Sequence, residues 1–280
     1  MSDHRTAFVL GGGGLLGACE AGMLRALLER GIRPDLVVGT SIGAINGAAV
    51  AGEPTVEGAK RLCAMWDDVE RTGVLGGSLF ARVRTLVTTG THLHAADPLR
   101  DLLDRNLPGR RIEELAVPFQ CVAASIERAS EHWFTSGPVV PAVLASSAVP
   151  GLLPPVEIDG EHFVDGGIVN SIPVGRALEL GATRIFVLHV GRIERPLEAP
   201  RTPWEVALVS FELARRHRFF TDLAALPEGV DVQVLPTGVE EQPRYSSLAN
   251  LRYRDMSRIG ERIELAYRAT VAHLAGTGQR

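Results

Sequence analysis

The amino-acid sequence predicts an α/β fold with a mostly parallel central sheet covered by helices on both faces. Short apolar runs rich in Val and Ile alternate along the chain with segments of helical periodicity. Strands that are apolar throughout are typical of parallel sheets buried between two layers of helices. With 280 residues, 45% of them hydrophobic, the chain can bury a full core, so we expect one domain over residues 1–280.

The predicted strands of this sheet are five apolar runs, at 6–10, 35–40, 117–125, 184–190 and 231–235. A helix is expected after each of the first two runs, the first ending at Gly31 and the second rich in small residues. The stretch 255–275 places apolar residues at spacings of three and four, which predicts an amphipathic helix packed on the body of the protein.

Charge and cysteine content exclude several classes of protein. The formal net charge is −4, so the chain lacks the basic surface that nucleic-acid binding needs. Cys19, Cys63 and Cys121 lie far apart with no CxxC pair, which argues against a disulfide framework and a zinc ribbon and predicts a cytoplasmic location. No apolar window is long enough for a signal peptide or a membrane-spanning helix, so we expect neither.

The first predicted strand ends in "GGGGLLG" (11–17), which we call the glycine loop. Gly12, Gly14 and Gly17 spell GxGxxG, a pattern typical of dinucleotide binding between a strand and a helix. Dinucleotide binding also needs an acidic residue at the carboxyl end of the second strand. Asp35 instead precedes the apolar residues of that strand, so the sequence disfavours a nucleotide-binding oxidoreductase.

The second predicted strand ends in "GTSIG" (39–43), a GxSxG motif centred on Ser41. In a nucleophile elbow the two flanking glycines allow a sharp turn that exposes the serine hydroxyl at a helix N-terminus. A plain helix N-cap serine fits the same local sequence. The glycine loop favours catalysis, because adjacent parallel strands direct both loops to one spot, where glycine N–H groups approach an oxyanion.

A serine nucleophile needs a base, and the sequence offers two kinds. Ser41, Asp165 and His189 follow the chain order of an α/β-hydrolase triad. In those enzymes, however, the nucleophile follows several βα units, whereas Ser41 follows the second strand, which disfavours a histidine triad. Asp165 is followed by Gly166 and Gly167, a turn sequence that also permits close backbone approach.

Four blocks occur in a characteristic order: "GGGGLLG", "GTSIG", "ASSAVPGLLPPV" at 145–156 and "DGG" at 165–167. Together they resemble the patatin-like phospholipases, serine acyl hydrolases that use a Ser-Asp dyad. The resemblance implies a three-layer α/β sandwich that hydrolyses carboxylic esters of phospholipids or neutral lipids through an acyl-enzyme, without metal or cofactor. A catalytically weak regulatory protein on the same fold is the alternative.

The resemblance also implies roles for individual residues. Ser41 is the nucleophile and Asp165 is the base that accepts its proton. The N–H groups that bind the oxyanion come from Gly12, Gly13 and Gly14. The glycines that complete the motifs are Gly17, Gly39, Gly43, Gly166 and Gly167.

Position 16 departs from the family's pattern. The family usually carries Arg or Lys just before the last glycine of the loop, and this chain has Leu16. The backbone donors survive this change, but a positive charge near the loop is lost. The departure weakens the expectation of phospholipid turnover more than that of ester hydrolysis, and it motivates the regulatory alternative.

Two segments have the composition of lipid-contacting surfaces. Residues 76–103 mix apolar side chains with arginines between the elbow and the third strand, and we expect them to form a cap over the site. Residues 204–220 combine apolar side chains with the basic cluster 215–218, a pattern typical of helices that lie on a membrane surface. Peripheral membrane contact is the corresponding expectation, although apolar stripes of this kind more often pack in a core.

Overall fold

The computed structural model describes residues 4–72, 97–107, 111–190, 196–238 and 258–277. Within these ranges the chain forms a mixed β-sheet with helices packed against it. The strands are β1 (Thr6–Leu10), β2 (Leu36–Thr40), β3 (Phe119–Ser125), β4 (Ser130–Phe134), β5 (Val156–Ile158), β6 (Glu161–Asp165), β7 (Arg184–Leu188) and β8 (Asp231–Val234). The helices are α1 (Ala18–Glu29), α2 (Ile42–Gly52), α3 (Val56–Thr72), α4 (Asp97–Asn106), α5 (Val139–Ser146), α6 (Val174–Glu179), α7 (Pro203–Ala224) and α8 (Ile259–Thr277).

The five predicted strands form the parallel part of the sheet. Strand β1 lies between β2 and β7, β3 pairs with β2, and β8 pairs with β7, all in parallel. Strands β4 and β6 pair with β3 in antiparallel orientation, and β5 pairs with β6. The predicted α/β class is confirmed, with an antiparallel extension that the sequence did not indicate.

Apolar side chains alternate between the two faces of the sheet. On β1, Phe8 and Leu10 belong to a large core covered by α1, α2, α3 and α8. Ala7 and Val9 belong to a second core against α6 and α7. Because both faces are covered, successive positions of such a strand are apolar, which explains the short apolar runs in the sequence. The expected layers of helices on both faces are confirmed.

The carboxyl ends of β1 and β2 lie side by side. Leu10 is in register with Gly39, so the glycine loop leaves the sheet next to the turn that carries Ser41. Strand β3 pairs with β2, and Ala123 of β3 lies opposite Asp165 of β6. The sheet therefore brings the glycine loop, the serine and the aspartate together at the carboxyl ends of β1 and β2.

Of the two segments predicted to contact lipid, 76–103 lies mostly outside the described residues. Its described part belongs to α4, on which Leu99, Leu102 and Leu103 are buried. The segment 204–220 lies within α7, a single helix. Among the described residues, no helix combines the length and the low polarity that crossing a bilayer requires.

Candidate active site

Ser41 occupies a sharp turn between β2 and α2. Its φ of 56° and ψ of −122° lie outside the regions that non-glycine residues usually adopt, and strained backbone of this kind clusters at functional sites. Gly39 and Gly43 permit the close packing of the turn. A Cβ on Gly39 would overlap the Gly43 carbonyl, and a Cβ on Gly43 would overlap the Leu10 carbonyl of β1. The GxSxG pattern is therefore what lets the turn pack against β1.

Ser41 and Asp165 hydrogen-bond each other directly. The Ser41 hydroxyl donates to Asp165 Oδ2 at 2.5 Å, and each of the two residues is only 6% exposed. The other carboxylate oxygen, Oδ1, accepts the N–H of Gly167 at 2.7 Å. Gly166 fits here because a Cβ at that position would overlap the Val122 carbonyl of β3. The structure thus brings together the predicted serine, aspartate and glycine turn.

Burial makes the Asp165 carboxylate a stronger base than an exposed aspartate. Removal from water disfavours the charged form and raises the pKa of Asp165 to about 6. Hydrogen bonds from Ser41 and from the Gly167 N–H act in the opposite direction, as does the positive charge of Arg215. The result is a carboxyl group that is ionised at neutral pH and holds a proton more strongly than usual, as general-base catalysis requires.

Ser146 hydrogen-bonds the backbone of the turn that carries Ser41, a role that the sequence did not reveal. Its Oγ accepts the backbone N–H of Ser41 at 2.9 Å and donates to the Val122 carbonyl of β3 at 2.6 Å. Ser146 is fully buried at the end of α5. It belongs to the block 145–156, so membership of that block was the signal that could have pointed to it.

The glycine loop lies against Ser41. A Cβ on Gly12 would lie 3.5 Å from the Ser41 Cβ, so the loop backbone passes within contact distance of the serine. The N–H of Gly12 donates to the Ser171 carbonyl oxygen at 2.9 Å. This N–H, expected to bind an oxyanion, is therefore already engaged. The N–H of Gly13, by contrast, has no acceptor among the described residues.

Arg215 reaches the glycine loop from α7, although the sequence suggested a membrane-facing role for its basic cluster. Its Nη1 donates to the Gly12 carbonyl at 2.8 Å, and its Nε lies 2.9 Å from Glu212 Oε2. The side chains of Arg215 and Arg216 are 8% and 9% exposed, so two members of the cluster are interior. A positive charge does stand beside the loop, contrary to the expectation drawn from Leu16.

A buried polar network holds the far end of the glycine loop and was also missed by the sequence analysis. Asn46 Nδ2 donates to the Gly17 carbonyl at 2.9 Å and to Glu20 Oε2 at 2.7 Å, while Trp66 Nε1 donates to Asn46 Oδ1 at 2.9 Å. Complete burial raises the pKa of Glu20 well above its usual range, with the Asn46 bond acting in the opposite direction. Burial thus disfavours the charged form of Glu20, which links α1 to α2 through Asn46.

Neither His189, the histidine of the alternative triad, nor His162 takes part in the hydrogen bond between Ser41 and Asp165. His162 is 47% exposed, and its Nδ1 lies 2.7 Å from Glu127 Oε1. His189 is buried after β7, where its Nδ1 would lie 3.6 Å from a Cβ on Gly11. The Ser41 hydroxyl, in contrast, donates straight to the aspartate with no imidazole between them.

Asp35, the acidic residue considered for dinucleotide binding, lies at the end of the sheet opposite the glycine loop. Its Oδ2 accepts the N–H of Thr6, the first residue of β1, at 2.8 Å. The glycine loop follows the last residue of the same strand. The full length of β1 therefore separates Asp35 from the loop that would hold a pyrophosphate.

Comparison with known families agrees with this arrangement. The pattern of the family described as Patatin-like phospholipase matches residues 8–178, a range that includes the glycine loop, Ser41 and Asp165. The chain belongs to the patatin-like phospholipase family.

Individual relatives are much longer than the region they share with this chain. Lysophospholipase NTE1 of Mycosarcoma maydis is 31% identical over 225 residues, which are 80% of this chain and 12% of that protein. Patatin-like phospholipase domain-containing protein 7 of Mus musculus is 30% identical over 193 residues, which are 68% of this chain and 14% of that protein. The crystal structure of VipD from Legionella pneumophila matches 98% of this chain and 67% of its own, with a TM-score of 0.49 and 15% identity.

Proposed function

We propose that this protein is a serine hydrolase that cleaves carboxylic ester bonds in phospholipids or neutral lipids. The observation that carries the proposal is the direct 2.5 Å hydrogen bond from the Ser41 hydroxyl to the buried Asp165, at a strained turn. A hydroxyl bound to a carboxylate has a base in place to take its proton as it attacks a carbonyl carbon. Relatives named as a lysophospholipase and a patatin-like phospholipase supply the lipid class.

The proposed reaction has two halves. In the first, Asp165 takes the proton of Ser41 while Oγ attacks the ester carbonyl, and the proton then passes to the departing alcohol. The acyl group remains on Ser41. In the second half, Asp165 takes a proton from the water molecule that attacks this acyl-enzyme, the fatty acid leaves, and the proton returns to Ser41.

Gly13 and Gly14 are the proposed oxyanion donors. Gly12 donates its N–H to the Ser171 carbonyl, so we assign it a structural place in the loop in place of the donor role expected from the family. A side chain at position 13 would overlap Val190, so glycine is the residue that fits there. A preorganised donor of this kind contributes about 3–4 kcal/mol to stabilisation of the transition state.

Release of fatty acid from defined lipids tests this function. A lysophospholipid, a diacyl phospholipid and a monoacylglycerol with the same acyl chain are each incubated with the protein, and free fatty acid is measured by mass spectrometry. We expect release from at least one of the three, together with labelling of Ser41 by a fluorophosphonate probe. Absence of both release and labelling in the folded protein rejects the proposal.

The pH dependence of hydrolysis follows from the environment of Asp165. Its pKa is raised to about 6, and the ionised carboxylate is the form that accepts the Ser41 proton. We therefore expect kcat/KM for an uncharged ester to be level at neutral pH and to fall about tenfold per pH unit below the pKa. A pH profile of kcat/KM, with circular dichroism to check folding at each pH, measures this. A profile that stays level down to the pKa of an ordinary aspartate, about 3.9, contradicts it.

Position 16 provides a test of how the site treats charged substrates. Leu16 is partly buried against the large core, so Leu16→Arg adds a cation near the loop and Leu16→Gln is the uncharged polar control. We expect Leu16→Arg to raise phospholipid turnover by a few-fold to tenfold relative to an uncharged ester, because exposed charges attract by about 1 kcal/mol. Added salt is expected to shrink the gain. If turnover of both substrates changes equally in both variants, independent of salt, position 16 affects the conformation of the loop and does not discriminate between substrates by charge.

A further inference from the structure

Arg215 connects α7 to the glycine loop through a buried guanidinium. Nη1 donates to the Gly12 carbonyl at 2.8 Å and lies 3.4 Å from Ser171 Oγ. Glu212 holds the other side of the guanidinium, with 2.9 Å between Nε and Oε2 and 3.1 Å between Nη2 and Oε1. The arginine is fixed by a carboxylate on its own helix while it binds a carbonyl 203 residues earlier in the chain.

The Gly12 carbonyl and the Gly13 N–H belong to one peptide unit. In a trans peptide these two groups share a plane and point in opposite directions, and the chain has no cis peptide bond among the described residues. A hydrogen bond that holds the Gly12 oxygen toward α7 therefore holds the Gly13 N–H facing away from α7. That N–H has no acceptor among the described residues.

We propose that Arg215 is a positioning residue that fixes the Gly12–Gly13 peptide so that the Gly13 N–H is aimed at the oxyanion. The inference rests on the proposed function of this site. It concerns stabilisation of the oxyanion, a part of the reaction that Ser41 and Asp165 do not perform. Arg215 acts through the backbone and does not touch the substrate.

The loop needs such an anchor because of its composition. Four consecutive glycines, 11–14, have wide conformational freedom and lose more of it on folding than any other residue type. The backbone anchors are the bonds from the Gly11 N–H to Leu188 and from the Gly12 N–H to Ser171. Neither of these fixes the Gly12–Gly13 peptide plane. An oxyanion donor stabilises the transition state only if it is already oriented, so the Arg215 bond supplies what the glycines lack.

Kinetics and transition-state analogue binding together test the inference. Arg215→Gln removes the guanidinium, and Arg218→Gln is the control, since it removes the same charge three residues later, where Arg218 pairs with Asp222. For Arg215→Gln we expect kcat for an uncharged p-nitrophenyl ester to fall by about ten- to 100-fold with KM little changed. The affinity for an alkyl trifluoromethyl ketone, which forms a tetrahedral oxyanion on Ser41, falls by a similar factor. Arg218→Gln stays within about twofold of the wild type in both.

The acid limb of the pH profile gives a separate readout of the Arg215 charge. The positive charge of Arg215 lowers the pKa of Asp165, so its removal shifts the acid limb to higher pH. Glu212 pairs with both Arg215 and Arg216, which leaves this group of three with a net positive charge. His189, next to Gly11, and Glu20, joined through Asn46 to the Gly17 carbonyl, are further titratable side chains beside the loop, and both are unchanged in the variant.

The outcomes separate this inference from the proposed function. A folded Arg215→Gln protein with wild-type kcat and wild-type ketone affinity overturns it, as does a loss of kcat with unchanged ketone affinity. If Arg215→Gln does not fold, Arg215→Met keeps an apolar stem of similar length without any donor, and wild-type kcat and ketone affinity in that variant also overturn the inference. Wild-type protein that neither hydrolyses esters nor reacts with a fluorophosphonate instead rejects the proposed function.

Discussion

Replacement of Ser41 by alanine is expected to abolish ester hydrolysis and fluorophosphonate labelling while the protein remains folded. The hydroxyl is the proposed nucleophile, and loss of a nucleophile costs about 10⁴-fold or more in kcat. The turn itself does not depend on the hydroxyl, because Gly39 and Gly43 set its close packing and the backbone N–H of residue 41 still donates to Ser146. Alanine tolerates the positive φ no worse than serine.

The measurement is kcat/KM for a short p-nitrophenyl ester and for the best lipid substrate, with the melting temperature as the check on folding. Ser210→Ala is the matched control, because Ser210 is exposed on α7 and the same hydroxyl is removed. We expect the control to retain wild-type rates. Substantial hydrolysis by a folded Ser41→Ala protein removes Ser41 from the mechanism.

The parallel half of the sheet was predictable because burial on both faces leaves a mark in the sequence. Strands β1, β2, β3 and β7 are almost wholly buried, so each consists mainly of apolar residues. The antiparallel strands leave no such mark. Strand β4 is "SEHWF", with its first two residues exposed, and β5 has three residues, none of them fully buried. Their pairing with β3 and β6 depends on tertiary contacts that no local pattern encodes.

The hydrogen-bonded pair of Ser41 and Asp165 was predictable for a different reason. Ser41 and Asp165 each sit beside glycines that their turns require, so short motifs marked both residues. Ser146 binds the backbone of Ser41 across 105 residues of sequence, and Arg215 binds the glycine loop across 203 residues. Neither residue stands in a turn with a local signature, and Arg215 sits in a basic cluster that has the same composition as a membrane-facing surface.

Replacement of Asp165 by asparagine is expected to cost about as much activity as loss of the serine. Asparagine keeps the size of the side chain, and its oxygen still accepts the N–H of Gly167, but it has no carboxylate to take the Ser41 proton. Residues that act as one unit fail together, so the double variant Ser41→Ala/Asp165→Asn is expected to be no slower than either single variant.

Stability distinguishes a chemical loss from an unfolded protein in the Asp165→Asn variant. Burial raises the folded-state pKa of Asp165 to about 6, so the folded protein binds this proton more tightly than the unfolded chain does. The stability that this gives below about pH 4 is lost as pH rises from about 4 to about 6. Above that pH the wild type bears the cost of a buried charge and the asparagine variant does not. We expect the variant to melt at an equal or higher temperature than the wild type at neutral pH.

Histidine variants decide between the Ser-Asp pair and a triad. His162→Ala changes a half-exposed side chain bound to Glu127, and His189→Gln changes the buried side chain next to the glycine loop. Both are expected to retain most of the wild-type kcat, because the Ser41 hydroxyl donates straight to Asp165 at 2.5 Å. If a folded His189→Gln protein loses as much activity as Asp165→Asn, an imidazole takes part in the proton transfer and the direct pair is not the whole base.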